Sequence, residues 1–377
     1  MQPQGPSERT VLVLQGGGAL GAYQAGAYEV LARAGREADW VAGISIGAIN
    51  AALIAGNAPE RRVARLREFW QRVTAGAPTT AWAGRDGPLR AWANEWAALW
   101  TAWYGLPHFF RPRIDIAGAH DGAGSPSLYD TGPLRQTLAE LVDFDRINDG
   151  PTRLSVGAVD VESGALVFFD SRRQRLRPEH VMASGALPPG FPAVVVEGRA
   201  YWDGGVVSNT PLRHVLQHLD QGAATIFQID LFSADGRVPR TLAEVADREK
   251  ELRYSSRTRL LTDLARERHE LRRALRTLAA RLPKAARADA RTQRLLREFG
   301  VDAPEPTVTL LHLVYRRKDS EIETRDYEFS RASMQEHWEA GRAAMARALR
   351  ALARDRRAHQ PGSFHLLDCS TDEKEHA

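Results

Sequence analysis

The sequence predicts an α/β fold on a mainly parallel central sheet, with an Arg-rich helical extension in its second half. Two strand-to-helix units follow one another in the first sixty residues, each meeting glycines where strand gives way to helix. Compact apolar runs of strand length recur much later, at 225–231 (TIFQIDL) and 307–315 (TVTLLHLVY). Between them, from Pro239 to Phe299, leucines fall at helical intervals among arginines and acidic residues.

Taken in order, Val11 to Leu14 (VLVL) is a strand that stops at a glycine cluster, and LGAYQAGAYEVLARAG then carries apolar residues at helical spacing. Trp40 to Ile44 is a second strand, with Ser45 at its end and IGAINAALIAG as a small-residue helix. From Pro59 to about Pro112 the chain is helical in character. Trp92, Trp96, Trp100 and Trp103 lie four and three residues apart, hence along one face of a helix that ends near Pro107. That face either packs on the sheet as core or borders a substrate entrance and meets an interface.

A Gly/Ser/Pro loop at 119–127 leads to a helix in YDTGPLRQTLAELVDF, with Thr131 as N-cap and Pro133 in the first turn. Residues 153–160 and 165–170 read as strands paired around the turn ESG. A short helix (PEHVMASGA), a proline-rich bend and the hairpin AVVVEGRAYW follow. The Arg-rich block reads either as a pair of long solvent-facing helices or as a cationic appendage facing a membrane or partner. From Pro361 a polar tail is expected. The expected division is 11–216 as catalytic domain, 217–360 as helical extension contributing the late strands at 225–231 and 307–315, and 361–377 as tail.

The 377 residues are 43% hydrophobic and 26% charged, within the ordinary globular range. The opening MQPQGPSERT is polar, and no apolar run approaches the roughly 20 residues of a spanning helix. Cys369 has no second cysteine to pair with, which suits a cytoplasmic address, with peripheral membrane association compatible. A net charge of +4 carried by arginine is no nucleic-acid signature, and no nucleic-acid partner is expected; oligomeric state is left open.

Three motifs carry chemistry. Gly43-Ile44-Ser45-Ile46-Gly47 fits G-x-S-x-G where a strand turns sharply into a helix; the flanking glycines let the turn close and push the hydroxyl outward. Gly16-Gly17-Gly18-Ala19-Leu20-Gly21 also lies between strand and helix, where the amides of Gly16, Gly17 and Gly18 can serve as an oxyanion hole, Gly17 and Gly18 foremost. Tyr201-Trp202-Asp203-Gly204-Gly205 offers a carboxylate whose following glycines permit close approach to a serine hydroxyl. The six-residue loop also matches the dinucleotide-binding G-x-G-x-x-G, which asks for an acid about 20 residues on, at the end of the second strand. Asp39 precedes that strand, and Ser45 occupies the required place.

Together these motifs, with the intervening ASGALPPGFPAVVVEGRAYWDGG, resemble the patatin-like phospholipase family over about Val11 to Leu216. The resemblance implies a three-layer α/β/α fold and a Ser–Asp dyad, Ser45 as nucleophile and Asp203 as proton acceptor, acting on ester bonds of lipids without a cofactor or metal. YDTGPLRQTLAELVDFDRIN and RDYEFSRASMQEHWEAG further resemble a bacterial subgroup with an added C-terminal helical domain. Leu20 stands where the family's loop commonly carries Arg or Lys. His180, His214 and His218 read as surface or packing histidines instead of triad members or metal ligands. The expected substrate is a phospholipid, lysophospholipid or other hydrophobic acyl ester. The competing function is a non-catalytic, regulatory lipid-binding module on the same scaffold.

Overall fold

The computed structural model describes residues 8–76, 97, 100, 101, 103–113, 126–220, 222–301, 306–316, 327–355 and 362–369. Nine strands form one sheet: β1 (Arg9–Leu14), β2 (Trp40–Ile44), β3 (Arg153–Asp160), β4 (Leu166–Asp170), β5 (Val194–Val196), β6 (Arg199–Asp203), β7 (Ala223–Asp230), β8 (Thr307–Val314) and β9 (Phe364–Asp368). Their spatial order is β9-β8-β7-β1-β2-β3-β6-β5, with β4 also paired to β3. Every neighbour from β9 to β3 is parallel, whereas β4, β5 and β6 pair antiparallel. Parallel strands covered on both faces must be apolar throughout, which is why VLVL and WVAGI carry no polar alternation.

Alternate side chains of β1 serve two cores. Leu12 and Leu14 join a large cluster under α1 (Gly21–Arg33), α2 (Ile46–Ala55) and α3 (Pro59–Val73). Val11 and Val13 point the other way, to Trp40, Leu212, Val215 and Ile226. The helices on this second face include α7 (Leu212–Gln217), which follows α4 (Gly132–Leu141), α5 (Phe144–Asp149) and α6 (Pro178–Ser184) in the chain. The result is the expected three-layer α/β/α architecture. Thr131 does occupy the N-cap of α4, but its side chain makes no capping bond; Asp130 accepts the Gly132 N–H at 2.9 Å instead.

The Arg-rich block forms a single helix α8 (Leu242–Arg281) of 40 residues, then short α9 (Lys284–Ala288) and α10 (Ala290–Glu298), in place of a pair of long helices. Leu260, Leu264, Leu271 and Leu278 are exposed on it, whereas His269 is buried and meets the Gly362 carbonyl. The last helix, α11 (Arg331–Arg354), lies directly against α1. A Cβ at Gly26 would stand 1.9 Å from the Trp338 carbonyl oxygen, and one at Gly341 1.9 Å from that of Tyr23. Each helix thus uses a glycine to let the other's backbone in. Buried Glu29 binds the Trp338 indole at 2.5 Å across this contact, together with Arg33 and Arg67.

The polar tail expected from Pro361 is corrected over 364–368. There β9 pairs parallel with β8, because Phe364 and Leu366 pack on one core and Leu367 on the other. The core alternative for the tryptophan face is corrected for Trp100 and Trp103, which are 40% and 77% exposed, while Ala97 and Thr101 turn inward. Trp92 and Trp96, like most of the loop at 119–127, lie outside the described residues.

Candidate active site

The carboxyl ends of β1, β2 and β7 meet at the point where strand order reverses, β2 and β3 running to one side of β1 and β7 and β8 to the other. Crevices open at such switch points. Here a cavity of about 450 Å³ has Gly16, Gly17, Gly18, Ser45 and Asp203 in its lining, with Phe109, Phe110 and Phe191 as an apolar wall.

Ser45 joins β2 to α2 with φ 57 and ψ −126, a conformation L-residues rarely adopt. The turn closes only because its neighbours lack side chains: a Cβ at Gly43 would stand 2.3 Å from the Gly47 carbonyl oxygen, and one at Gly47 2.4 Å from that of Leu14. The Ser45 N–H donates to the carbonyl (3.1 Å) and the hydroxyl (3.0 Å) of Ser184. Ser184 in turn donates its hydroxyl to the Gly157 carbonyl at 2.6 Å, so the elbow is pinned to β3. With its amide engaged, Ser45 presents its hydroxyl at the N-terminus of α2, where the helix dipole favours negative charge.

Asp203 ends β6 and is 1% exposed. Its carboxylate accepts the Gly205 N–H at 2.7 Å and faces the Ser45 hydroxyl, which favours its charged form. Burial pushes this carboxyl up from 3.8 to about 7, against the pull of those two groups. A carboxyl balanced near neutrality is suited to accept and return a proton at physiological pH. Gly204 and Gly205 form the turn behind it, and Gly21 opens α1 against Ile46 and Trp70.

The glycine loop brings one correction. The Gly16 N–H donates to the Asn209 carbonyl at 3.2 Å, so it is not a free oxyanion donor; the amides of Gly17 and Gly18 carry no such bond among the described residues. The Asn209 side chain also donates to the Gly16 carbonyl at 3.0 Å, clasping the loop from the segment that follows Asp203. Gln15 completes the frame. Its amide oxygen accepts the N–H groups of Leu231 (2.6 Å) and Phe232 (3.1 Å), and its amide nitrogen donates to Thr210 (3.0 Å) and to the Tyr254 carbonyl (3.2 Å).

Asn209, Ser184 and Gln15 are the site residues that motif reasoning passed over. Asn209 follows the Asp203-Gly204-Gly205 motif by four residues and Ser184 stands inside ASGALPPG, but nothing in their identity announces a partner, since Asn and Ser are common turn residues. None of the three histidines lines the cavity. His214 stacks on Phe168 at 4.1 Å and reaches Asp170 at 3.5 Å, and His180 is buried against Phe169. Asp39 lies at the far end of β2 from the glycine loop and accepts the Thr10 N–H at 2.7 Å, out of place for a ribose.

The family model described as patatin-like phospholipase matches residues 12–216, more than half of the chain. The chain belongs to the patatin-like phospholipase family. A second model, described as patatin phospholipase, matches residues 252–361 of this family member. No curated protein matches it. Among solved structures it is similar to VipD from Legionella pneumophila (14% identity, TM-score 0.36, 89% of this chain and 67% of that one). Human GIVD cytosolic phospholipase A2 matches at 12% identity and TM-score 0.30, over 59% of this chain and 43% of that one. ExoU in its complex with SpcU from Pseudomonas aeruginosa matches at 15% identity and TM-score 0.29, over 93% and 77%.

Proposed function

We propose that this patatin-like phospholipase is a serine acyl hydrolase that cleaves carboxylic ester bonds of lipids through a Ser45–Asp203 dyad. The observation that carries the reading is a strained Ser45 whose hydroxyl faces the buried carboxyl of Asp203 in an apolar cavity. Asp203 accepts the Ser45 proton as the oxygen attacks the ester carbonyl. The amides of Gly17 and Gly18 receive the oxyanion of the tetrahedral intermediate. Collapse of that intermediate expels the alcohol, which takes the proton from Asp203 and leaves an acyl ester on Ser45. Water, deprotonated by Asp203, then attacks the acyl carbonyl and regenerates the serine. No step calls on a metal or cofactor.

The volume and the phenylalanine wall support a hydrophobic acyl chain as the group held. A cytoplasmic protein touching membranes peripherally fits this reading: exposed Trp100, Trp103 and Tyr104 adjoin Thr101, which lines the cavity, and no described helix is long and apolar enough to cross a membrane. Replacement of Ser45 by Ala is expected to lower hydrolysis of a short-chain p-nitrophenyl ester by at least about a thousandfold and to end labelling by a fluorophosphonate probe. Equal rates in parent and variant would remove Ser45 from the mechanism. A folded parent protein that neither turns over esters nor takes the probe would favour the non-catalytic lipid-binding module.

A further inference from the structure

Five leucines of α8 face solvent, Leu260, Leu264, Leu271 and Leu278 along its length and Leu282 at its C-terminal cap, each between 41% and 60% exposed. At 3.6 residues per turn they fall within a sector of about 40°, so they form one straight stripe about 33 Å long. Thr262 and His269, on the opposite side of the helix, are buried, and His269 meets the Gly362 carbonyl at 3.0 Å. α8 is therefore already seated on its own molecule by another face, and the stripe is no part of that core. A continuous apolar row of this length is a surface for a partner, because water leaves its burial favourable.

Their spacing selects that partner. These exposed leucines follow one another at intervals of four, seven, seven and four residues, a series that reads the same from either end and has Leu271 at its centre. Two such helices laid antiparallel, with Leu271 against its own copy, bring Leu264 level with Leu278 and Leu260 level with Leu282, each pair occurring twice. Self-complementarity of this kind is what a two-fold axis requires. The charges beside the stripe fit the same arrangement. Asp263 and Arg281 are exposed, their side chains make no ion pair among the described residues, and they stand eighteen residues, or five whole turns, apart on one margin of the stripe. Antiparallel pairing brings Asp263 of one copy to within about 3 Å of the height of Arg281 in the other, again twice. Glu270, near the axis on that margin, is already paired with Arg266 of its own helix at 3.3 Å. A lipid surface fits less well: a bilayer asks for no symmetric series, and exposed Asp263, Glu267 and Glu270 border the leucines.

We propose that the leucine stripe of α8 is a homodimer interface, in which two copies of this chain pair the helix antiparallel about a two-fold axis at Leu271. The inference is independent of the hydrolase reading. The same helix reaches the cavity at Tyr254, seventeen residues before the axis, so the two cavities of the dimer lie about 50 Å apart along the paired helices, at opposite ends.

The test is the mass of the full chain in solution, followed by sedimentation velocity across the micromolar range. A dimer is expected. Leu271→Glu, which sets two carboxylates against each other at the axis, is expected to raise its dissociation constant by at least about a hundredfold with the circular dichroism spectrum unchanged. Asp263→Arg and Arg281→Asp are each expected to weaken the dimer about threefold to tenfold, and the double variant to restore it. No contact within one chain can give that recovery, because the two residues lie about 27 Å apart on one helix. Orientation is read by disulfide cross-linking in a Cys369→Ala background, which removes the chain's single cysteine. There Leu271→Cys should link to its own copy, Leu260→Cys should not, and a mixture of Leu260→Cys and Leu282→Cys chains should link to each other. A chain that stays monomeric, a dimer that Leu271→Glu leaves intact, or self-linking of Leu260→Cys overturns the proposal. A monomer whose binding to phospholipid vesicles is lost in Leu271→Glu overturns it too, and assigns the stripe to lipid.

Discussion

A carboxyl as deeply buried as that of Asp203 favours its neutral form, and the cost of ionising it in the fold moves its titration up towards neutral pH. Its folded pKa near 7 lies above the ordinary 3.8. The stability contributed by the neutral acid is therefore complete below 3.8 and is lost as pH rises through about 7. Asp203→Asn is expected to abolish ester hydrolysis while stabilising the protein at pH 8 by about 1–4 kcal/mol relative to its effect at pH 4, as read by denaturant unfolding at the two pH values. In the parent protein kcat/KM should rise about tenfold per pH unit below 7 and level off above it. Ser45 and Asp203 are legible in the sequence because their neighbours are constrained too: a serine needing glycine on both sides leaves a pattern. Gln15 is not, for it acts through backbone groups of distant segments, and a lone glutamine at a strand end carries no local mark.

Among the elements, the strands that were easiest to read are those buried on both faces, β1, β2, β7 and β8, whose apolar runs admit few alternatives. β9 escaped because FHLLD gains its strand character only from β8 beside it, and a parallel partner 56 positions away leaves no local signature. The long helix α8 escaped as one piece because its leucines face outward for part of its length, so periodicity gave no boundary. The α1–α11 contact tests how far backbone proximity alone holds two helices. Gly341→Ala places a methyl 1.9 Å from the Tyr23 oxygen, and neither backbone can yield locally. The expected loss is about 1–3 kcal/mol, visible as a Tm lowered by several degrees, since added atoms in a packed contact must push the elements apart. An unchanged Tm would contradict the crossing described here.

Among the described residues of the whole molecule, an aromatic surface lies next to the cavity. Trp103 is 77% exposed, beside Trp100 stacked on Tyr104 at 4.2 Å, and all three adjoin cavity-lining Thr101. Indoles placed between water and lipid are favourable at membrane interfaces. Trp103→Ala is expected to weaken binding to phospholipid vesicles several-fold with Tm within about a degree of the parent, because an exposed side chain contributes little to folding. Unaltered vesicle binding would remove this surface from any interfacial role.

Strand order also dictates when the enzyme can exist during its own synthesis. β1, near the start of the chain, pairs with β2 on one edge and with β7 on the other. At translation speeds of roughly 5–20 residues per second, about 10–40 s pass between the emergence of Leu14 and of Ala223. For that interval the nascent sheet shows the ribosome exit an open apolar edge, and the Gln15 clasp has neither Leu231 nor Tyr254 to hold. The frame around the glycine loop is therefore incomplete until the second half of the chain has been made.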